Sequence, residues 1–201
     1  LCRELDMIDR CQIQALPWNE LAGAMEKGEG EAIIAGLAIT PQTRAEYAFT
    51  RSYMRFPARF VARRAAALAE PMWRAVSGRR VGVVAGSEHE ALLKDYFADA
   101  RPVPFADEAS LYEELKAGRL DVAFGDGMRL AFWLASPASA NCCALAGGPY
   151  LAREYLGAGL AIAVPRQHKE LADAFDYALR EINMNGTFGE LYLRYFPVGF
   201  F

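Results

Sequence analysis

Shifted by ninety positions, two stretches of this chain fall on each other: Leu21, Met25, Gly28, Glu31 and Ala32-Ile33-Ile34 land on Leu111, Leu115, Gly118, Asp121 and Val122-Ala123-Phe124. Each copy reads as the end of an amphipathic helix, a glycine that stops it, an acid, and a short apolar run suited to a strand buried on both faces. Helix–glycine–strand is common in α/β proteins, so chance is the alternative. The equal spacing from helix to acid favours a duplication. Two such copies constrain the chain to two α/β lobes. In open α/β sheets ligands bind outside the carboxyl ends of strands, so Ala35-Gly36 and Gly125-Asp126 are expected to point into one cleft.

The rest of the chain keeps the alternation. Strands are expected at 12–16, 32–35, 60–62, 80–84, 103–105, 120–124 and within the apolar run from Leu156 to Val164. Between them, Asn19 is placed to cap a helix through Met25, Gly86-Ser87 opens one, Glu108 to Lys116 forms another, and Leu171, Phe175, Leu179 and Ile182 recur at helical spacing. The fold class is therefore α/β with largely parallel sheets.

Apolar residues make up 53% of the chain and charged residues 23%, enough for a sizeable core. A net charge of −3, with no basic block, argues against a nucleic-acid partner. No run approaches the roughly 20 apolar residues of a membrane span. Leu1-Cys2-Arg3-Glu4-Leu5 reads as the last turns of a helix with no start signal, so the N-terminus is expected to be cut and a signal peptide to belong to the precursor. The four cysteines, Cys2, Cys11, Cys142 and Cys143, show no C-x-x-C pairing, and no metal site is expected. Cys2 and Cys11 read either as a disulfide or as two buried thiols. The adjacent Cys142 and Cys143 are expected to be packed thiols, because a bridge between neighbours strains the peptide joining them.

Catalytic chemistry is poorly represented. There are two histidines, and no G-x-S-x-G, Walker loop or G-x-G-x-x-G is present. Binding chemistry is better served. Gly86-Ser87 follows a strand and opens a helix, which makes either an anion site or a plain N-cap. Arg44, beyond Ile39-Thr40-Pro41, offers a bidentate guanidinium or is a surface residue. Asp126 ends a strand, to pair a cationic amine or to cap the next helix. Trp18 is a stacking wall or a packing residue before a helix. Anion site, cation site and aromatic wall together suit a zwitterion.

Pro17-Trp18-Asn19-Glu20-Leu21, then Glu31 through Pro41, then Phe49-Thr50 and Tyr53, closely resemble the first lobe of the polar-amino-acid-binding family of periplasmic solute-binding proteins. Gly78-Arg79-Arg80-Val81-Gly82-Val83, Gly86-Ser87, Gly118 through Asp126, and Gly186-Thr187-Phe188 with Leu193-Arg194-Tyr195-Phe196 resemble the remainder in order and spacing. The resemblance implies a clamshell of two lobes, 1–55 plus 156–201 and 56–155, with crossings near Tyr53–Ala58 and Ala152–Gly159. It also implies that the family's first strand lies outside this chain. By position, Trp18 would be the side-chain wall, Gly36 and its neighbours would face the α-amine, and Asp126 would balance its charge. Arg44 and the Ser87–Glu88 backbone would clasp the α-carboxylate, and Cys2–Cys11 would be a disulfide. Three positions depart from the family's pattern: Thr43 stands where its arginine is usual, Ala38 where a hydroxyl is usual, and Glu88 where a small polar residue is common.

The reading that follows is a periplasmic, monomeric binding protein without a cofactor. It would capture an amino acid or related small carboxylate between two lobes and deliver it to the membrane permease of an ABC importer. The alternatives are a dehydratase acting on a cyclohexadienyl substrate, with Glu88 as the acid, and a ligand-sensing extracellular domain.

Overall fold

The computed structural model describes every residue except Ala67, Pro197, Val198 and Phe201; the expected chain ending from Val198 to Phe201 therefore falls partly outside the described residues. The chain forms two compact units, Leu1–Arg55 with Ala158–Tyr192, and Phe56–Gly157 with Leu193–Phe201. The last nine residues thus group with the second unit, whereas the sequence reading kept them with the first. Among the described residues no helix is long and apolar enough to cross a membrane.

In the first unit, α1 (Leu21–Glu26) and α2 (Pro41–Glu46) precede β1 (Tyr47–Phe49). In the second, β2 (Ala58–Arg63), α3 (Met72–Ala75), β3 (Arg80–Val84), α4 (Glu88–Tyr96), β4 (Arg101–Phe105), α5 (Glu108–Lys116), β5 (Val122–Asp126), α6 (Gly127–Ala135), β6 (Cys143–Tyr150) and α7 (Arg153–Leu156) follow. The chain then adds β7 (Ala163–Pro165) and α8 (Lys169–Met184) to the first unit, and α9 (Thr187–Tyr195) runs past its end.

The second unit holds one mixed sheet in the order β4-β3-β5-β2-β6. β3 is parallel to β4 and to β5, while β2 is antiparallel to both its neighbours, so β2 alone runs against the rest. The apolar runs are continuous because both faces are covered. Successive residues alternate between two cores. Phe60, Val122 and Phe124 join Val81, Leu92, Leu93 and Phe97 on one face. Val61 and Ala123 join Leu111, Leu115, Leu130 and Trp133 on the other.

The first unit is less sheet-like than its sequence suggests. Its ladder is β1 against β7, antiparallel. The strand expected at 32–35 is a single bridge, Ile33 to Ala163, with Ile34 60% exposed. Ile33 spends its N–H and C=O on Ala163, which leaves no second partner to propagate a ladder. No strand forms at 12–16, and Ile13 there is fully exposed. Asn19 caps nothing, since it lies inside a short 3-10 turn, Trp18–Glu20, that leads into α1.

The duplicated grammar is realised bond for bond. Gly28 donates to the Met25 carbonyl (3.1 Å) and Glu29 to that of Ala24 (2.9 Å); Gly118 donates to Leu115 (3.0 Å) and Arg119 to Glu114 (2.9 Å). These are the paired bonds of a Schellman cap, and both glycines are left-handed, φ +72° and +77°.

Cys2 and Cys11 are bridged, with sulfurs 2.07 Å apart. Cys142 and Cys143 are bridged as well, which corrects the expectation of two packed thiols. In a regular strand neighbouring side chains diverge to opposite faces. Here Ala140 and Asn141 are both left-handed just before the pair, and Cys142 precedes β6 rather than belonging to it. Both cysteines consequently pack on the same core.

Candidate functional site

Three helices start at the carboxyl ends of the parallel strands, each with a side-chain cap. Ser87 caps α4 after β3, Asp107 caps α5 after β4, and Asp126 caps α6 after β5. β3 connects to β4 on one side, and the next crossover returns past it to β5 on the other. The switch point therefore lies between the ends of β3 and β5, where open α/β sheets place their ligands. Ser87, Glu88 and Asp126, far apart in sequence, all follow these two neighbouring strand ends.

Asp126 accepts the Arg129 N–H through Oδ1 at 2.9 Å, which is the N-cap bond. The Arg129 guanidinium, the internal rival for the carboxylate, is held instead by Glu108 at 3.2 and 3.3 Å. No ion pair involves Asp126 among the described residues. The second carboxylate oxygen is left for something else.

At Gly86-Ser87, read either as an anion site or as a plain N-cap, the N-cap forms and the chain itself takes the Gly86 N–H. The Glu90 carboxylate accepts the Gly86 N–H at 2.7 Å and binds Lys94 at 2.7 Å. The Ser87 N–H reaches the Val84 carbonyl at 3.4 Å, while its hydroxyl donates to the same carbonyl and accepts from the Glu90 N–H. Glu88 is exposed in the first turn of α4, where a carboxylate is favoured by the helix dipole. Its presence has a structural cause before any ligand is considered.

His89, given no role by the sequence reading, sits beside this group. Its Nε2 is buried without a hydrogen-bond partner. Burial lowers its pKa, against the opposing pull of Asp126, Glu88 and Glu108, while Arg129 adds to the lowering. The signal that was available is its place two residues past Ser87, in the first turn of a helix opened at a strand end. Tyr112, stacked on Trp133 at 4.4 Å, has its pKa raised by burial and by Glu108 and Asp126.

The other four expected residues belong to the first unit. Gly36 is left-handed (φ +74°), and a Cβ there would meet Leu160 at 3.2 Å. Thr43, where the family pattern expects arginine, completes a capping box: Thr40 and Thr43 exchange bonds of 3.0 and 3.2 Å. Its hydroxyl also donates to the Ala38 carbonyl at 2.7 Å. The threonine thus fixes the entry to α2, and Arg44 lies about 100° further round the helix. The Arg44 guanidinium rests 5.9 Å from the Phe49 ring centroid, with no carboxylate partner among the described ion pairs. Trp18 is 60% exposed. No group of three or more metal-ligating side chains occurs among the described residues.

The model of the bacterial extracellular solute-binding proteins, family 3, matches residues 1–198. An L-arginine-binding protein of Pseudomonas aeruginosa is 28% identical over 203 residues, spanning 98% of this chain and 75% of the relative. The lysine/arginine/ornithine-binding periplasmic protein of Escherichia coli is 26% identical over 198 residues, with the same two shares. Among solved structures, a polar amino acid ABC uptake transporter substrate-binding protein from Streptococcus thermophilus is similar at TM-score 0.72 and 20% identity, covering 92% of this chain and 70% of that one. An ancestral cyclohexadienyl dehydratase is similar at TM-score 0.71 and 16% identity, covering 98% and 81%.

Proposed function

The chain belongs to the bacterial extracellular solute-binding proteins, family 3, and on that footing we propose that it binds an amino acid with a cationic side chain and passes it to the permease of an ABC importer. The relatives that carry basic amino acids are named as periplasmic or arginine-binding proteins, which supports a periplasmic address and the ligand class.

One observation carries the reading that the ligand bears an amine; the cationic side chain rests on the names of the relatives. Asp126 stands at the switch point of the sheet with one carboxylate oxygen uncommitted, and its neighbour Arg129 is taken by Glu108. An ionised carboxylate at such an end is best balanced by a cation that the ligand brings. Glu88 adds an exposed carboxylate at the end of the neighbouring strand β3.

Asp126 is assigned the α-amine. Within the first unit, taken by itself, Trp18, Gly36, Ala38 and Arg44 offer an exposed ring, two backbone positions and a guanidinium. Ser87 is assigned a positioning role as the cap that fixes the start of α4, and Glu88 its remaining backbone N–H.

Fold likeness to a dehydratase does not decide between binding and turnover, because one fold hosts both. Exposure of Glu88 supports binding over catalysis, since catalytic groups act in sites that exclude water. Calorimetric titration with L-arginine, L-lysine and L-glutamate tests the proposal. Saturable binding of the two basic amino acids supports it, and binding of glutamate alone refutes it.

A further inference from the structure

We infer that Cys142–Cys143 is a site of thiol–disulfide exchange with small dithiol reductants, and that its redox state sets the turn between α6 and β6. The inference stands apart from the ligand reading. Cys143 is buried and Cys142 half-buried, so the sulfur that a reagent meets is that of Cys142. A reductant thiolate attacks there and forms a mixed disulfide, while Cys143 leaves as a thiolate and takes a proton. The reagent's second thiol then displaces Cys142. The reagent ends as a cyclic disulfide, and the protein, with two electrons and two protons gained, holds two thiols.

The consequence follows from the backbone on either side. Ala140 and Asn141 are both left-handed, φ 47° and 52°, a conformation that residues with a Cβ disfavour. Ser139 holds them from one end. It is buried, its hydroxyl accepts the Asn141 N–H at 3.3 Å, and it donates to the Leu134 and Ser136 carbonyls, both at 3.0 Å. The cysteine ring holds the other end. Beyond it, the Arg64 N–H binds the Cys142 carbonyl at 2.9 Å and the Arg64 Nε binds that of Asn141 at 3.2 Å. Cys143 pairs with Arg63 at the start of the ladder. Opening the ring restores rotation between the two cysteines. The left-handed pair then relaxes, and both Arg64 bonds and the first pairing of β6 weaken.

The test uses the full chain. Unfolded protein is alkylated with and without prior dithiothreitol treatment, digested and weighed, with Cys2–Cys11 read in its own fragment as a control. Amide exchange is followed over 139–144 and at Arg64 before and after reduction. The fragment carrying Cys142 and Cys143 should take up no alkyl group untreated and two after reduction, and exchange there should rise about tenfold. In a variant with Ala140→Gly and Asn141→Gly, glycine removes the left-handed penalty, so reduction should change exchange far less. Alkylation of both cysteines without reductant would overturn the inference. So would unchanged exchange on reduction, or an equal rise in the glycine variant.

Discussion

Oδ1 of Asp126 is committed to the Arg129 amide, whereas Oδ2 has no hydrogen-bond donor among the described contacts. Asp126→Asn keeps the cap, because asparagine is as good an N-cap as aspartate, and removes the charge. Affinity for L-arginine should fall by on the order of 2 kcal/mol, about thirtyfold, by calorimetry, with the melting temperature of the ligand-free protein unchanged. An equal loss in both would make Asp126 a structural residue. His89 gives a second residue-scale expectation. Its folded pKa lies below its ordinary 6.5 because burial favours the neutral ring, although Asp126, Glu88 and Glu108 oppose this. The unfolded chain therefore binds a proton first as pH falls, and stability is lost below about pH 6.5. His89→Gln should flatten that part of the melting-temperature profile between pH 7.5 and 5; an unchanged slope would place the acid sensitivity elsewhere. Asp126 was legible in the sequence because a strand end marks it. His89 was not, because its meaning comes from side chains of α5 and α6 that only the sheet brings near.

At the scale of elements, the repeat was the most legible feature. Gly28 and Gly118 each accept a left-handed cap that a Cβ disfavours by about 1 kcal/mol or more. Both Gly→Ala variants should lower the denaturation midpoint. The two should cost about the same, because nothing lies within 4 Å of a Cβ at Gly28 and at Gly118 the near group is the movable end of the Arg63 side chain. Gly82→Ala should be worse than either, since its Cβ would sit 2.5 Å from Leu120 Cδ1 and 3.2 Å from Leu111 Cγ in a packed core, an overpacking of about 1–3 kcal/mol. Urea unfolding compares the three; Gly82→Ala unfolding no earlier than Gly28→Ala would contradict the packing account. Where the element reading failed, pairing was the cause. Residues 12–16 and 32–35 have strand-like side chains, yet a strand is defined by its neighbours, and Ile33 finds one on a single side. The bridge at Cys142–Cys143 was missed for a related reason, since two consecutive left-handed residues without glycine leave no mark in the sequence.

For the whole molecule, family membership rests on residues 1–198, and the two-unit division cuts the chain at Arg55/Phe56, Gly157/Ala158 and Tyr192/Leu193. The sequence reading placed its divisions at 55/56 and 155/156. It did not anticipate the third cut, because α9 reads as one amphipathic helix with no break at Tyr192. The arginine position is the main departure from the family's pattern. Thr43 is tied into the cap of α2 and to Ala38, so whichever group clasps the α-carboxylate, Thr43 is spent on the backbone. The most direct test of the account is a thermal-shift titration of the protein against L-arginine, L-lysine, L-histidine and L-glutamate. A ligand that binds only the folded state raises the melting temperature with the logarithm of its excess over Kd. The account expects a saturable rise with arginine or lysine, reduced in Asp126→Asn, and none with glutamate. A rise with glutamate and none with the basic amino acids would contradict it.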